Sequence, residues 1–173
     1  MAVVVCRVAG SFAVWGVRWG GVIGIAFAVS RPKRVRTLTR VSTPISINEK
    51  GKVTFADKTP QPGAGGEDKS LNEWLDASNR AMRFPPSTDP GLIEWYNTEF
   101  KKNRRDVQAA MGTLANRANV AKYLAEIKVP VLGLYPTNGP LTTPEQEQML
   151  IANIADLRMV HMPSSYHKVQ MIF

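Results

Sequence analysis

At 173 residues, with 44% hydrophobic and 21% charged positions, the chain suits one globular domain with a real core and excludes a disordered tail. A single cysteine, Cys6, excludes an internal disulfide framework and a cysteine zinc site, so a reducing, cytoplasmic setting is expected. The net charge of +8 is concentrated: residues 1–48 hold Arg7, Arg18, Arg31, Lys33, Arg34, Arg36 and Arg40 against no acid, while the rest, with 15 basic and 14 acidic residues, is nearly neutral and offers no basic helix interleaved with stacking aromatics for nucleic acid.

Met1 to Val29 is apolar and precedes a basic cluster, Arg31 to Arg36, which is the outline of a signal anchor or transit peptide. Arg7 and Arg18 interrupt the run, however, and leave no 18-residue uncharged segment for a membrane helix. Arg7 to Trp15 is broken as a strand by Gly10 and Ser11, and only Phe12 to Trp15 qualifies.

Gly16-Val17-Arg18-Trp19-Gly20-Gly21 then has the spacing of a nucleophile elbow, G-x-S-x-G, where glycines let a strand reverse sharply into a helix and the middle residue is presented in a strained conformation. The middle residue here is Arg18. A guanidinium stays charged and has no nucleophilic lone pair, so it cannot attack a carbonyl as a serine hydroxyl does.

The apolar stretch from Gly21 to Val29 reads as the helix after the elbow, Arg31-Pro32 as a turn, and Val35 to Val41 as a strand stopped by Ser42-Thr43-Pro44. Together they make one αβ step of a parallel sheet. Ile45 to Gly66, rich in Lys, Pro, Gly and Gln, reads as a linker.

A run of helices is expected next. Ser70 to Glu73 has the pattern of a capping box, with Leu71, Trp74, Leu75 and Met82 on one face. Asp89-Pro90 starts a second helix with a stripe of Leu92, Ile93, Tyr96 and Phe100. A third, from about Asp106 to Asn116, places Val107, Met111 and Leu114 inward, and a fourth, Val120 to Ile127, buries Tyr123, Leu124 and Ile127.

Ile127 to Tyr135 is a continuous apolar run that fits a strand buried on both faces. Thr143-Pro144-Glu145-Gln146 caps a helix continued by Met149, Leu150, Ile154 and Leu157, and Arg158 to Met162 is a last strand that runs into a loop carrying His167. Strand, helix, strand and histidine loop is the layout of a catalytic edge at the carboxyl ends of parallel strands.

The order of the elbow at Gly16 to Gly21, "RTLTRVSTP", a helical insertion, "IKVPVLGLY", a capped helix, "LRMVHMP" and a terminal histidine resembles the second half of an α/β-hydrolase, over most of residues 16–173. The resemblance implies a partial α/β fold, a parallel sheet flanked by helices with a helical cap insertion. It divides the chain into an atypical segment 1–15, core 16–44, linker and cap 45–126, and core 127–173.

It also implies a Ser, Asp/Glu, His triad in that chain order. His167 matches the histidine base. Arg18 occupies the nucleophile position and Gly139, in Pro136-Thr137-Asn138-Gly139-Pro140, the acid position; Asn138, one residue away, and Glu145 are the alternatives for orienting the imidazole. The backbone N–H of Trp19 would supply one oxyanion donor.

No metal or cofactor is implied. The expected partner of an active enzyme is a small ester, lactone, amide or similar carbonyl compound; nucleic acid is not expected, and membrane is the lesser reading. The early strands of the family are absent, so residues 1 to about 18 are expected to depart from the family's sequence, and the chain is expected to be truncated, self-associating and impaired in catalysis. The competing class is a non-catalytic protein that uses the basic apolar N-terminus at a membrane, or the cap helices for interaction.

Overall fold

The computed structural model describes residues 3–5, 10–46 and 68–172. The chain divides into two compact units, one built from residues 1–46 and 119–171, the other from residues 47–118.

The first unit is organised on a five-stranded sheet: β1 (Val3–Val5), β2 (Phe12–Val17), β3 (Val35–Val41), β4 (Val131–Pro136) and β5 (Leu157–Met162), in that spatial order. Strands β2 to β5 are parallel, as a succession of strand, helix and strand requires. The departure from an all-parallel sheet is β1, a run of three valines that pairs antiparallel with the outer edge of β2. β2 extends to Val17, past the expected Trp15, and delivers the chain directly into the elbow.

Helix α1 (Trp19–Ser30) follows, and a 3-10 turn at Pro32–Arg34 leads into β3 over the residues expected from the sequence. Phe12 on β2 stacks on Phe27 of α1 at 5.7 Å, and Ile25 and Leu38 are wholly buried. Truncating either would cost about 2–5 kcal/mol by the usual cavity argument. Alternation along the strands sends Ala13 and Trp15 to the opposite face, which they share with Leu134 and Val160 through the register Val17–Val41–Leu134–Val160. On that face Trp15 is 44% and Val160 39% exposed.

The two arginines inside β3 have opposite environments. Arg36 is exposed, but Arg40 is completely buried. Ile45 and Ser46, expected to open the linker, instead belong to the sheet unit. Ile45 is buried, Ser46 bridges to Asn119, and Gln146 accepts from the Ile45 N–H at 2.8 Å and donates to the Ser46 carbonyl at 2.9 Å. The rest of the expected linker, through Gly66, lies outside the described residues.

Residues 121–126 form a 3-10 helix rather than an α-helix; it still buries Leu124, and Ile127 follows it inward. β4 begins at Val131, because Pro130 has no N–H for the ladder.

The second unit holds α2 (Asp68–Ser78), α3 (Pro90–Lys101) and α4 (Arg105–Arg117). Because α2 begins at Asp68, Ser70 lies inside the helix and is not its N-cap. Asp89 is a true cap, its Oδ1 accepting from the Leu92 N–H at 2.9 Å with Pro90 in the first turn.

α2 ends in a π-helical turn, Asn79–Arg83, that carries Arg83 into the interior. Its guanidinium lies 4.7 Å from the Trp74 ring, 5.7 Å from Phe100 and 5.8 Å from Tyr96, and donates to Ser78 Oγ and Asn79 Oδ1. On α4 Ala115 is buried and Gln108 and Met111 are half-buried. Val107 and Leu114, expected inward, are about half exposed, because the helix is rotated by one residue from the expected stripe.

Candidate functional site at the carboxyl edge of the sheet

The elbow is present in the backbone. Arg18, between β2 and α1, has φ 52° and ψ −115°, a region that only glycine visits without strain. Backbone hydrogen bonds hold it there. Its N–H donates to the Val41 carbonyl at 3.0 Å, and its own carbonyl accepts from the Gly21 N–H at 3.0 Å in the first turn of the helix.

The flanking glycines are required by contact. A Cβ at Gly16 would stand 2.3 Å from the Gly20 carbonyl carbon, and one at Gly21 would stand 2.2 Å from Thr43 Oγ1. The turn therefore closes only with hydrogen at both places.

Ser42, at the end of the neighbouring strand, also has positive φ, 45°, and is buried; its N–H donates to the Leu134 carbonyl at 2.9 Å. Thr43 follows as a junction. Its hydroxyl donates to the Val41 carbonyl at 3.1 Å, and its carbonyl accepts from Arg40 Nη2 and from the Tyr135 hydroxyl, each at 3.1 Å. Nothing in the sequence marked Ser42 or Thr43 as more than a strand stop.

Burial acts on the two ionisable groups at this junction. It pushes the Tyr135 hydroxyl up from its ordinary value, against the opposing pull of the Arg40 charge, with Glu147 adding a smaller upward push. It pushes Arg40 down, opposed by Tyr135.

His167 lies in the loop between β5 and a short helix, α6 (Val169–Ile172), and its side chain is wholly buried. The loop after β4 is fastened to the loop after β5: Thr137 donates from its N–H and its hydroxyl to the Met162 carbonyl, at 2.9 and 3.0 Å, and the Asn138 N–H donates to the Ser164 carbonyl at 3.2 Å. The structure thus gathers Arg18, Ser42, Asn138 and His167 at the carboxyl ends of β2, β3, β4 and β5.

Gly139, where the resemblance expects the acid, leaves little room for a side chain. A Cβ at Gly139 would lie 2.5 Å from Pro136 Cγ, so an aspartate there needs the proline ring to move. Asn138 is anchored through its backbone, and its side chain is exposed. Glu145 stands exposed in the first turn of α5 (Pro144–Asn153), whose cap is Thr143, accepting from the Gln146 N–H at 3.3 Å. Trp19 is the first residue of α1, so its N–H has no acceptor within the helix and can serve a ligand.

His161, the other histidine, is on the face of β5 toward α5, with Nε2 2.9 Å from Glu147 Oε2. Among the described residues no three His, Cys, Asp or Glu side chains converge as a metal site, and no helix is long and apolar enough to cross a membrane.

No family model matches the sequence, and no curated protein matches it. Solved structures do. A hydrolase from Pseudomonas aeruginosa superposes with a TM-score of 0.75 at 19% identity, over 94% of this chain and 60% of its own. An enol-lactonase from Burkholderia xenovorans gives 0.77 at 19% identity, over 94% and 62%. The fold is that of the α/β-hydrolases.

A proline iminopeptidase from Mycobacterium smegmatis shares it, with a TM-score of 0.60 at 17% identity over 94% of this chain and 60% of its own. The chain spans about 60% of the length of these three structures.

Proposed function

We propose that the chain is a relative of α/β-hydrolases that act on small esters, lactones, amides or similar carbonyl compounds, with catalysis impaired at the nucleophile. The observation that carries this reading is the elbow backbone at Arg18, with φ 52° and ψ −115°. The turn keeps the strain that presents a nucleophile, while the group presented has none.

The chemistry follows from what each residue can do. In a complete site the serine oxygen attacks the carbonyl carbon, the histidine takes the serine proton, and N–H groups hold the oxyanion. Here the imidazole of His167 is the base without a proton to take. Trp19 N–H is one oxyanion donor. The helical unit of residues 68–117 is read as the cap, and substrate class would be set by its side chains.

The test is a burst assay with a chromogenic ester on the intact chain. The expected result is no stoichiometric burst and a rate no greater than that of His167→Ala. Loss of a triad nucleophile leaves only about 10³ to 10⁴ over water even in a complete enzyme. A burst abolished by His167→Ala would show that another residue attacks and would overturn the reading.

A further inference from the structure

Arg40 lies in the interior with its charge uncompensated among the described residues. Nη2 donates to the Thr43 carbonyl, but Nε and Nη1, both buried, have no acceptor there. Glu147, whose charge acts on Tyr135, is itself engaged by His161 at 2.9 Å and makes no ion pair with Arg40. A guanidinium removed from water without a counter-charge costs several kcal/mol.

A second positive feature lies beside it. In the sheet register Arg40 is flanked by Gly16 and Gly133, and Gly16 abuts the backbone of Gly20 and Gly21 in the first turn of α1. That turn is the positive end of a 12-residue helix. Two sources of positive potential thus meet in the interior, and unused N–H donors are aimed away from solvent.

We propose that the buried end of Arg40, beside the first turn of α1, is a binding site for one small monovalent anion, a halide or a formate-sized carboxylate. The size follows from the surroundings. Leu38, Thr43 and Tyr135 are each wholly buried, which excludes an organic ligand of any length. The Thr43 carbonyl, already accepting from Arg40 and Tyr135, keeps the guanidinium in place and turns its remaining donors to the anion. Occupancy would tie the elbow turn to β3 and β4 and stabilise the sheet unit rather than take part in turnover.

Two measurements on the intact chain test the site. In bromide-soaked crystals, an anomalous peak is expected within hydrogen-bond reach of Arg40. In solution, exchange of gluconate for chloride or formate at constant ionic strength should stabilise the folded chain saturably; at 100 times the dissociation constant the folded-to-unfolded ratio rises about 100-fold. Arg40→Met should lose that response. The site is refuted if no bromide lies at Arg40, if a carboxylate of the chain itself is found there, or if Arg40→Met responds to chloride as the unmodified chain does. Should Arg40→Met fail to fold, the bromide position alone decides.

Discussion

The backbone N–H of Arg18 reaches the carbonyl of Val41, the last residue of β3, at 3.0 Å, continuing the β2–β3 ladder one residue past the end of β2. The elbow is therefore part of the sheet and not a loop laid over it. The conformation of Arg18 is imposed by its neighbours, whatever side chain it carries.

Relief of that conformation should be measurable. A non-glycine residue in this region costs of order 1–3 kcal/mol, offset by about 0.5–1 kcal/mol of extra chain entropy for glycine. Arg18→Gly is expected to raise the unfolding free energy by a net of about 1 kcal/mol, read as a higher urea midpoint with an unchanged m-value. A loss of stability would mean that the arginine side chain more than compensates its backbone.

Arg18→Ser should restore little esterase activity. The hydroxyl would sit on the elbow backbone with His167 in the adjoining loops, but Gly139, the position proposed for the acid, carries no carboxylate and leaves no room for one beside Pro136. The expected outcome is no acyl-enzyme burst from Arg18→Ser, read by mass spectrometry after incubation with an activated ester.

The glycine contacts make a sharper pair. Gly16→Ala meets backbone atoms that cannot rotate away and should cost about 3 kcal/mol or more, or prevent folding. Gly21→Ala meets the Thr43 side chain, with Oγ1 at 2.2 Å, Cγ2 at 2.7 Å and Cβ at 2.8 Å. Thr43→Ala should therefore recover part of the loss in Gly21→Ala and none in Gly16→Ala, a coupling that denaturant curves of the double variants would reveal.

Much of this was legible in the sequence, and the reasons differ by element. The β3 boundaries at Val35 and Val41 and the α1 region follow from short-range pattern, as do the Asp89 and Thr143 caps, because the signals are local. The placement of Arg18 and His167 at the carboxyl edge of the sheet was legible because it follows from their order along the chain after β2 and β5. Arg40 was not: arginine among threonines reads as a wet strand, and its burial depends on α1 and α5 closing over one face. Ser42's positive φ and the π-helical turn that carries Arg83 are likewise products of tertiary contact. Ser70 misled for the opposite reason, since a capping pattern has no effect once the helix begins upstream at Asp68.

Tyr135 gives the alkaline limb of the stability profile. Its folded-state value is raised by burial, so the unfolded chain loses this proton first. The contribution is complete below about pH 10, the unfolded value, and is lost as pH rises toward the higher folded value. Tyr135→Phe should flatten the decline above about pH 10 relative to the unmodified chain, measured by denaturant unfolding at increasing pH.

The exposed face of the sheet supplies a test of assembly. Trp15 and Val160 stand on it, and an apolar face of this kind favours association. The chain is expected to run larger than a monomer in light scattering, with Trp15→Lys and Val160→Lys shifting it toward monomer. A monodisperse monomer of the unmodified chain would contradict this.

The strained turn at position 18 is set by Gly16, Gly21, Thr43 and the Val41 carbonyl, none of which concerns the side chain it displays. Some arginine and serine codons differ by one nucleotide. A scaffold of this kind can therefore lose or regain its displayed reagent in a single mutational step without refolding, so the geometry of the turn and the chemistry at its tip are free to have separate histories.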